Sequence, residues 1–493
     1  MSVADRFLSL NRRPLLPLLL VFAGTLWIAG GASRVDPLGQ AVVRIVAWAC
    51  LIIMILFGTG RPTVRRGRVV LGFLGVAAVL AAIQLVPLPP ELWSRLPGRA
   101  AFATATAFAG DPAPWRPLTI VPGATANALG SLIVPFVVFC FAAGGIRADA
   151  PIGAEIKAAA DPQVSDGALV KILLGLVVGC LFVGLLQFAG ASIYDPLVNR
   201  GDDVVGTFAN RNHFALMMAC GLLLAPAWAF MGGRRPGWRG SVVIALIPLL
   251  ALAILASGSR TGMLVGLVAL GCGIAIVRQP LRRALGRGPR WVAPVLIAGL
   301  VAVLGGLVTL GVATDRALSI NRALLLDPGR DMRSRALPTV LEMTAEYFPV
   351  GSGLGGFDPV FRMHEPFDLL KPSYFNRAHN DFLEIVLDTG VIGLALLLAA
   401  MGWWMWMSVR AWRAPSKIRE EVAGRIIGDA VILPRLGSAI LGIIALASIV
   451  DYPARTPMIM AVVVIAAVWL STAASIRPSR VRGSPLPPNV QPL

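Results

Sequence analysis

Arg377-Ala378-His379-Asn380-Asp381-Phe382-Leu383-Glu384 gathers most of a proton-transfer toolkit into one short stretch, where a long polar segment meets an apolar run. The chain has three histidines, and this one stands beside an arginine and two carboxylates. A ring that exchanges a proton near neutral pH suits general-base work. Either His379 is that base, or it caps or packs against the helix that follows. Asn380 and Asp381 are residue types that cap helix N-termini. Glu384 lies five positions beyond His379 and Asp381 two, so neither stacks beneath it on a helix. Arg377 reads equally as a phosphate or sugar ligand and as an interfacial anchor.

Two more arginines interrupt apolar text. Arg211 opens one hydrophobic run, and Arg260 sits in Gly258-Ser259-Arg260-Thr261-Gly262 between two others. An unpartnered arginine at such depth costs about 2.5–3.5 kcal/mol or more, so each asks for an anion. The guanidinium fork suits phosphate oxygens; a snorkelling side chain or an internal salt bridge is the alternative. Asp451 and Arg455 are expected to pair or cap at a turn. His213, near Asn210 and Asn212, reads as a packed or hydrogen-bonded ring, and His364, beside Glu365, as a solvated one. Asp202, Asp203 and Asp358 form no recognised ligand spacing, so no metal is expected. Cys50, Cys140, Cys180, Cys220 and Cys272 have no CxxC spacing and read as small apolar residues. The run Gly351-Ser352-Gly353-Leu354-Gly355-Gly356-Phe357 lacks the strand and helix of a nucleotide cradle, which leaves a tight turn shaping a functional loop.

These residues must be positioned by membrane helices. Hydrophobic residues make up 56% of the 493-residue chain and charged residues 14%, and apolar runs long enough to cross a hydrocarbon core recur along it. The fold class is an all-α polytopic membrane protein with about twelve spans, near 15–33, 41–57, 69–87, 128–146, 169–190, 213–231, 241–257, 262–277, 291–313, 383–409, 435–451 and 456–475. Arg12 and Arg13 before the first run, and Ala29-Gly30-Gly31-Ala32 after it, also fit a secretory signal, but the run is long for one.

Basic clusters at Arg6 to Arg13, Arg61 to Arg68, Arg234 to Arg239, Arg278 to Arg290 and Arg410 to Arg419 all fall on one side of a twelve-span count. The positive-inside rule makes that side cytoplasmic. Both termini then lie inside, and loops 88–127, 191–212, 258–261, 314–382 and 451–455 lie outside. The net charge of +18 follows from this bias and from anionic lipid, with no nucleic acid as partner. The chain divides into residues 1–313, nine helices with Arg211 and Arg260; 314–382, a long outer loop between spans nine and ten that carries the glycine turn and His379; 383–475, three more helices; and a cytoplasmic tail, 476–493. A loop of that length in a compact bundle is usually functional.

Four segments together resemble the bacterial O-antigen ligase and polysaccharide polymerase superfamily of integral membrane glycosyltransferases: Gly206-Thr-Phe-Ala-Asn-Arg-Asn-His-Phe-Ala215; Ser257-Gly-Ser-Arg-Thr-Gly262; the glycine turn followed by Arg377 to Glu384; and Asp451-Tyr-Pro-Ala-Arg-Thr-Pro457. Trp115-Arg-Pro-Leu-Thr-Ile-Val-Pro-Gly123 is similar to family text as well. Each motif is short, and their order and shared outer placement make the combination specific.

The resemblance implies a periplasm-facing enzyme of the inner membrane. It would transfer a glycan from an undecaprenyl-pyrophosphate-linked donor to an acceptor hydroxyl, with inversion and with neither metal nor cofactor. His379 would be the base, Arg211 and Arg260 the pyrophosphate clamps, and Arg377 and Arg455 further donor-site ligands. The acceptor is left open: another lipid-linked glycan for a polymerase, lipid A core for a ligase, or a protein side chain for an O-oligosaccharyltransferase. A polysaccharide or lipid transporter is the reading from another class, but no internal repeat is visible and the suspicious charges gather at one edge, not at mid-membrane.

Overall fold

A computed structural model describes residues 15–33, 37–57, 67–110, 114–143, 165–198, 204–232, 236–286, 305, 332–370, 375–414 and 428–475. In chain order its longer elements are α1 (Leu15–Ala29), α2 (Leu38–Phe57), α3 (Arg68–Gln84), β1 (Pro87–Leu88), α4 (Pro90–Trp93), α5 (Ala100–Phe108), β2 (Arg116–Pro117), α6 (Pro122–Ser131), α7 (Ile133–Ala142), α8 (Asp166–Phe188), α9 (Arg211–Phe230), α10 (Trp238–Ala256), α11 (Arg260–Leu285), α12 (Met332–Tyr347), α13 (Phe357–His364), α14 (Asp381–Arg413), α15 (Gly428–Ser448) and α16 (Pro457–Ser471). Short 3-10 turns lie at Phe367–Leu369, Pro453–Arg455 and Thr472–Ser475.

Among the described residues nine helical segments are long and apolar enough to cross a membrane, with α6 and α7 acting as one, and α1 and α3 are shorter apolar helices. Together these eleven correspond to eleven of the expected spans. The ninth, 291–313, lies outside the described residues except for Gly305. The chain is a multi-pass membrane protein. Two details depart from the sequence reading. The fourth span begins at Pro122 and is interrupted at Leu132, and the chain is not purely helical, because β1 and β2 pair as a short antiparallel ribbon.

α9 is the hub of the bundle and nearly all of it is buried, whereas α2 turns most of its surface outward. It packs most closely against α11 and also against α10, α8 and α15. Its apolar residues run all round the helix, as burial on every side requires. α15 packs on α16, and α14 leans on α15.

Ahead of α14, the described residues 332–370 and Phe375 share a small apolar cluster. α12 and α13 bury Val340, Met343, Tyr347, Phe357 and Phe361 together with Phe375, and the rings of Phe357, Phe361 and Phe375 are in mutual contact. The glycine turn fastens this cluster to the bundle. α14 is broken at Gly390, whose φ of 60° and ψ of −142° are open to glycine alone. The break frees the carbonyls of Leu387 and Asp388, which accept hydrogen bonds from Ser352 N and Gly353 N, each at 2.9 Å. Gln84 at the end of α3 joins them, donating to Asp388 O at 3.0 Å and accepting from Leu354 N at 2.9 Å. Gly353 has a φ of 107° and lies against Thr119, so no side chain fits there. Arg99, fully buried, donates to the carbonyls of Leu118 and Gly351 at 2.8 and 3.0 Å. Burial draws its pKa down to about 10 against the opposing influence of Tyr347.

Candidate active site

Four chain segments meet at one end of the bundle, and Asp451 is where they join. Its side chain is 1% exposed. Oδ1 lies 3.2 Å from His379 Nδ1 and accepts from Tyr452 N at 3.0 Å. Oδ2 accepts from Asn212 Nδ2 at 2.6 Å and from Asn210 Nδ2 at 3.1 Å, with Arg333 Nη2 at 3.7 Å and His213 Nε2 at 4.0 Å. Burial alone would raise this carboxyl. The hydrogen bond from His379 and the neighbouring His213 and Arg333 outweigh it and hold the group well below the usual carboxylate range.

His379 adopts φ 49°, the one positive φ outside glycine among the described residues. A left-handed conformation at such a residue costs on the order of 1–3 kcal/mol, and strain of this kind persists where surrounding contacts enforce it. The ring lies between Phe375 and Tyr452, both with centroids 5.0 Å away. Its side chain is 15% exposed, so water and small groups reach it. Nδ1 faces the carboxylate, and no described residue hydrogen-bonds Nε2. With its proton on Nδ1 facing Asp451, the neutral ring presents the Nε2 lone pair outward, which is the arrangement of an oriented base. Tyr452 is held as the neutral phenol: burial and the Asp451 charge raise its pKa.

Asn380 does cap α14, accepting from Leu383 N at 3.0 Å. Asn210 caps α9 by accepting from Asn212 N at 2.8 Å, and Ser259 caps α11 by accepting from Gly262 N at 2.9 Å. The Ser259 hydroxyl then donates to Asn212 Oδ1 at 2.8 Å, so the N-termini of α9 and α11 are tied side by side. Arg211 and Arg260 are the first residues of those two helices, Arg211 half-buried and Arg260 exposed. Two helix N-termini side by side, each with an arginine as its first residue, make an anion-attracting corner.

The remaining expected ligands point inward. Arg377 Nη1 donates to Glu384 Oε1 at 3.0 Å. Arg455 lies in the same cluster, with Nη2 at 3.1 Å from Glu384 Oε1 and 3.7 Å from Asp388 Oδ2, and Nε at 3.5 Å from Asp381 Oδ1. Burial would weaken the hold of Arg455 on its proton, but these three carboxylates raise its pKa above that of an ordinary arginine. The expected pairing of Asp451 with Arg455 does not occur. The turn between α15 and α16 sends Asp451 toward His379 and Arg455, four residues on, toward the acids of α14. His213 is fully buried, bonded to Thr456 Oγ1 at 2.9 Å and edge-on to Tyr452. His364 is tied more firmly than a solvated ring, with Nε2 2.9 Å from Glu346 Oε2 and Nδ1 2.9 Å from Val360 O. Asp202 and Asp203 lie outside the described residues, and Asp358 pairs with Arg362 along α13. Among the described residues no group of three or more His, Cys, Asp or Glu is placed to hold a metal ion.

Sequence reasoning did not assign Asp451 to His379, and it gave no role to Arg333, Ser259 or Tyr452. The available signal was that Ser259, Asp451 and Tyr452 stand inside the same short motifs as Arg260 and Arg455.

A family model described as O-antigen ligase matches residues 244–398, a segment that includes Arg260, Arg377 and His379. The exopolysaccharide production protein ExoQ of Rhizobium meliloti (strain 1021) is 28% identical over 229 residues, covering 45% of this chain and 51% of the relative. The chain thus spans about half the length of the curated relative it matches. Over the segment around Arg260 and His379 this chain is therefore similar to the O-antigen ligase family, and over about half of its length to an exopolysaccharide production protein.

Proposed function

We propose that the chain is an inverting glycosyltransferase of the inner membrane, with its site facing the periplasm, which moves a glycan from an undecaprenyl-pyrophosphate donor to an acceptor hydroxyl without a metal. The observation that carries this reading is the oriented His379–Asp451 pair beside the joined N-termini of α9 and α11. The pyrophosphate occupies the corner formed by Arg211, Arg260 and the two helix ends, where its charge is met by fork-shaped donors and backbone N–H groups. The acceptor hydroxyl approaches Nε2 of His379. As oxygen attacks the anomeric carbon, the bond to the pyrophosphate breaks, the hydroxyl proton passes to Nε2, and Asp451 stabilises the imidazolium that forms. Attack opposite the leaving group inverts the anomeric centre.

Arg377 and Arg455 are members of the internal ion cluster around Glu384 and support the site from there. Among the acceptors, a growing glycan is favoured by the relative named for exopolysaccharide production, with lipid A core and a protein side chain as the other two. The test is transfer by the purified protein from a lipid-linked donor in the presence of chelator. Polymer formed by wild type and lost in His379→Gln supports the reading. Activity that needs an added divalent ion overturns the metal-free mechanism. Glycan analysis of a deletion strain then separates the acceptors: accumulated single lipid-linked repeats mean polymerase, long chains left on the carrier lipid mean ligase, and under-glycosylated proteins mean protein transfer.

A further inference from the structure

Glu384 is fully buried in the first turn of α14, and both of its oxygens are hydrogen-bonded. Oε2 accepts from the backbone N–H of Ala378 at 2.9 Å. Oε1 receives Arg377 Nη1 at 3.0 Å and Arg455 Nη2 at 3.1 Å. Arg377 and Ala378 immediately precede His379. Arg455 belongs to the short turn that begins with Asp451, and Asp381 secures the same turn by accepting from Ala454 N at 3.3 Å. On the other side of His379, Asn380 is locked as the cap of α14 and accepts from Glu384 N through its own carbonyl at 3.0 Å. One carboxylate therefore grips the irregular segment leading into His379 and the turn that carries Asp451.

We infer that Glu384 is a positioning residue, which holds His379 in its left-handed conformation and in register with Asp451 through Ala378, Arg377 and Arg455. This inference rests on the base reading of His379. A single φ of 49° at a histidine needs an external restraint, and the Ala378 hydrogen bond supplies it one residue away. The pair His379–Asp451 joins segments with no covalent proximity, so its spacing depends on whatever fixes the two segments to each other. Glu384 does so directly, and it also neutralises two guanidinium groups that would otherwise turn toward the anionic donor or toward the ring of His379. The role is distinct from substrate binding, because the side chain is sealed from the site.

The experiment is a double-mutant cycle in the lipid-linked donor assay. Glu384→Gln keeps the shape but cannot satisfy two arginines and an amide N–H together. It is expected to lower kcat by about 100-fold while donor KM stays within about threefold, because the transition-state base is misplaced and the donor corner is intact. In an Asp451→Asn background, where the register no longer matters, Glu384→Gln should cost less than about threefold more. Losses that multiply would make Glu384 an independent structural element and overturn the proposal, as would near-normal turnover of Glu384→Gln. Arg455→Lys keeps the charge and serves where Glu384→Gln is not recovered from the membrane: a fall in kcat at constant donor KM supports positioning, and a rise in donor KM at constant kcat places Arg455 on the donor and overturns it. His379→Gln is run in parallel. Full activity there removes the base reading itself, whereas an inactive His379→Gln beside a fully active Glu384→Gln removes only the positioning claim.

Discussion

His379 Nδ1 lies 3.2 Å from Asp451 Oδ1 across 72 residues of chain, and this contact turns a lone histidine into an oriented base. The carboxylate is itself held by Asn210, Asn212 and a backbone N–H, so the ring is aimed by a rigid partner. The arrangement selects the tautomer that leaves Nε2 open.

Replacing His379 by glutamine should lower turnover by about 10²- to 10⁴-fold, the range expected for a positioned base, with donor KM little changed. Asp451→Asn should act in the same direction, because an amide can present its NH₂ to Nδ1 and stabilise the wrong tautomer. Steady-state kinetics with lipid-linked donor checks both, and an Asp451→Asn protein at wild-type kcat would contradict the pairing.

Alanine at Arg211 or Arg260 should raise donor KM and cut kcat/KM by about 100-fold or more while the protein remains inserted. Lysine should recover little of this loss, since a point charge does not reproduce a forked contact with two phosphate oxygens. Comparison of kcat/KM for the alanine and lysine variants is the measurement, and full activity in Arg260→Lys would remove the forked contact.

The depressed pKa of Asp451 sets a pH expectation. A carboxyl whose folded value lies below its unfolded value of about 3.9 contributes stability that is fully present above the unfolded value and is lost as pH falls through the folded one. The difference in melting temperature between wild type and Asp451→Asn in detergent should therefore not shrink between about pH 7 and pH 5. It should shrink only below the usual carboxylate range. A difference that already shrinks between pH 7 and pH 5 would mean that Asp451 titrates there.

The site and the basic ends of the helices lie at opposite ends of the bundle, because α11 begins at Arg260 and carries Arg282 and Arg283 in its last turn, and α14 begins beside His379 and ends with Arg410 and Arg413. Cysteine at exposed Ala345 should label with a membrane-impermeant maleimide in intact cells, and cysteine at exposed Gly286 only after lysis. The native cysteines are buried or half-buried, which keeps the background low. The reverse pattern would invert the assigned topology.

What the chain discloses by itself is everything that depends on local pattern. Apolar run length marks the helices, because each span must bury its own backbone hydrogen bonds in lipid. Arg211, Arg260 and His379 stand out since charge and titratable rings are expensive within apolar text. Asn380 was legible as a cap from residue type alone. Tertiary structure decided the partners. Asp451 and Arg455 share one turn, and no sequence rule says that the first faces His379 and the second faces Glu384; that follows from how α15 and α16 close against α14. The break at Gly390, which frees the carbonyls that the glycine turn needs, is likewise not fixed by Asp388-Thr389-Gly390 alone, since these residues lie inside a stretch that reads as one helix. Periodicity reports which residues a helix carries, while the meeting of side chains more than 70 positions apart is set by packing.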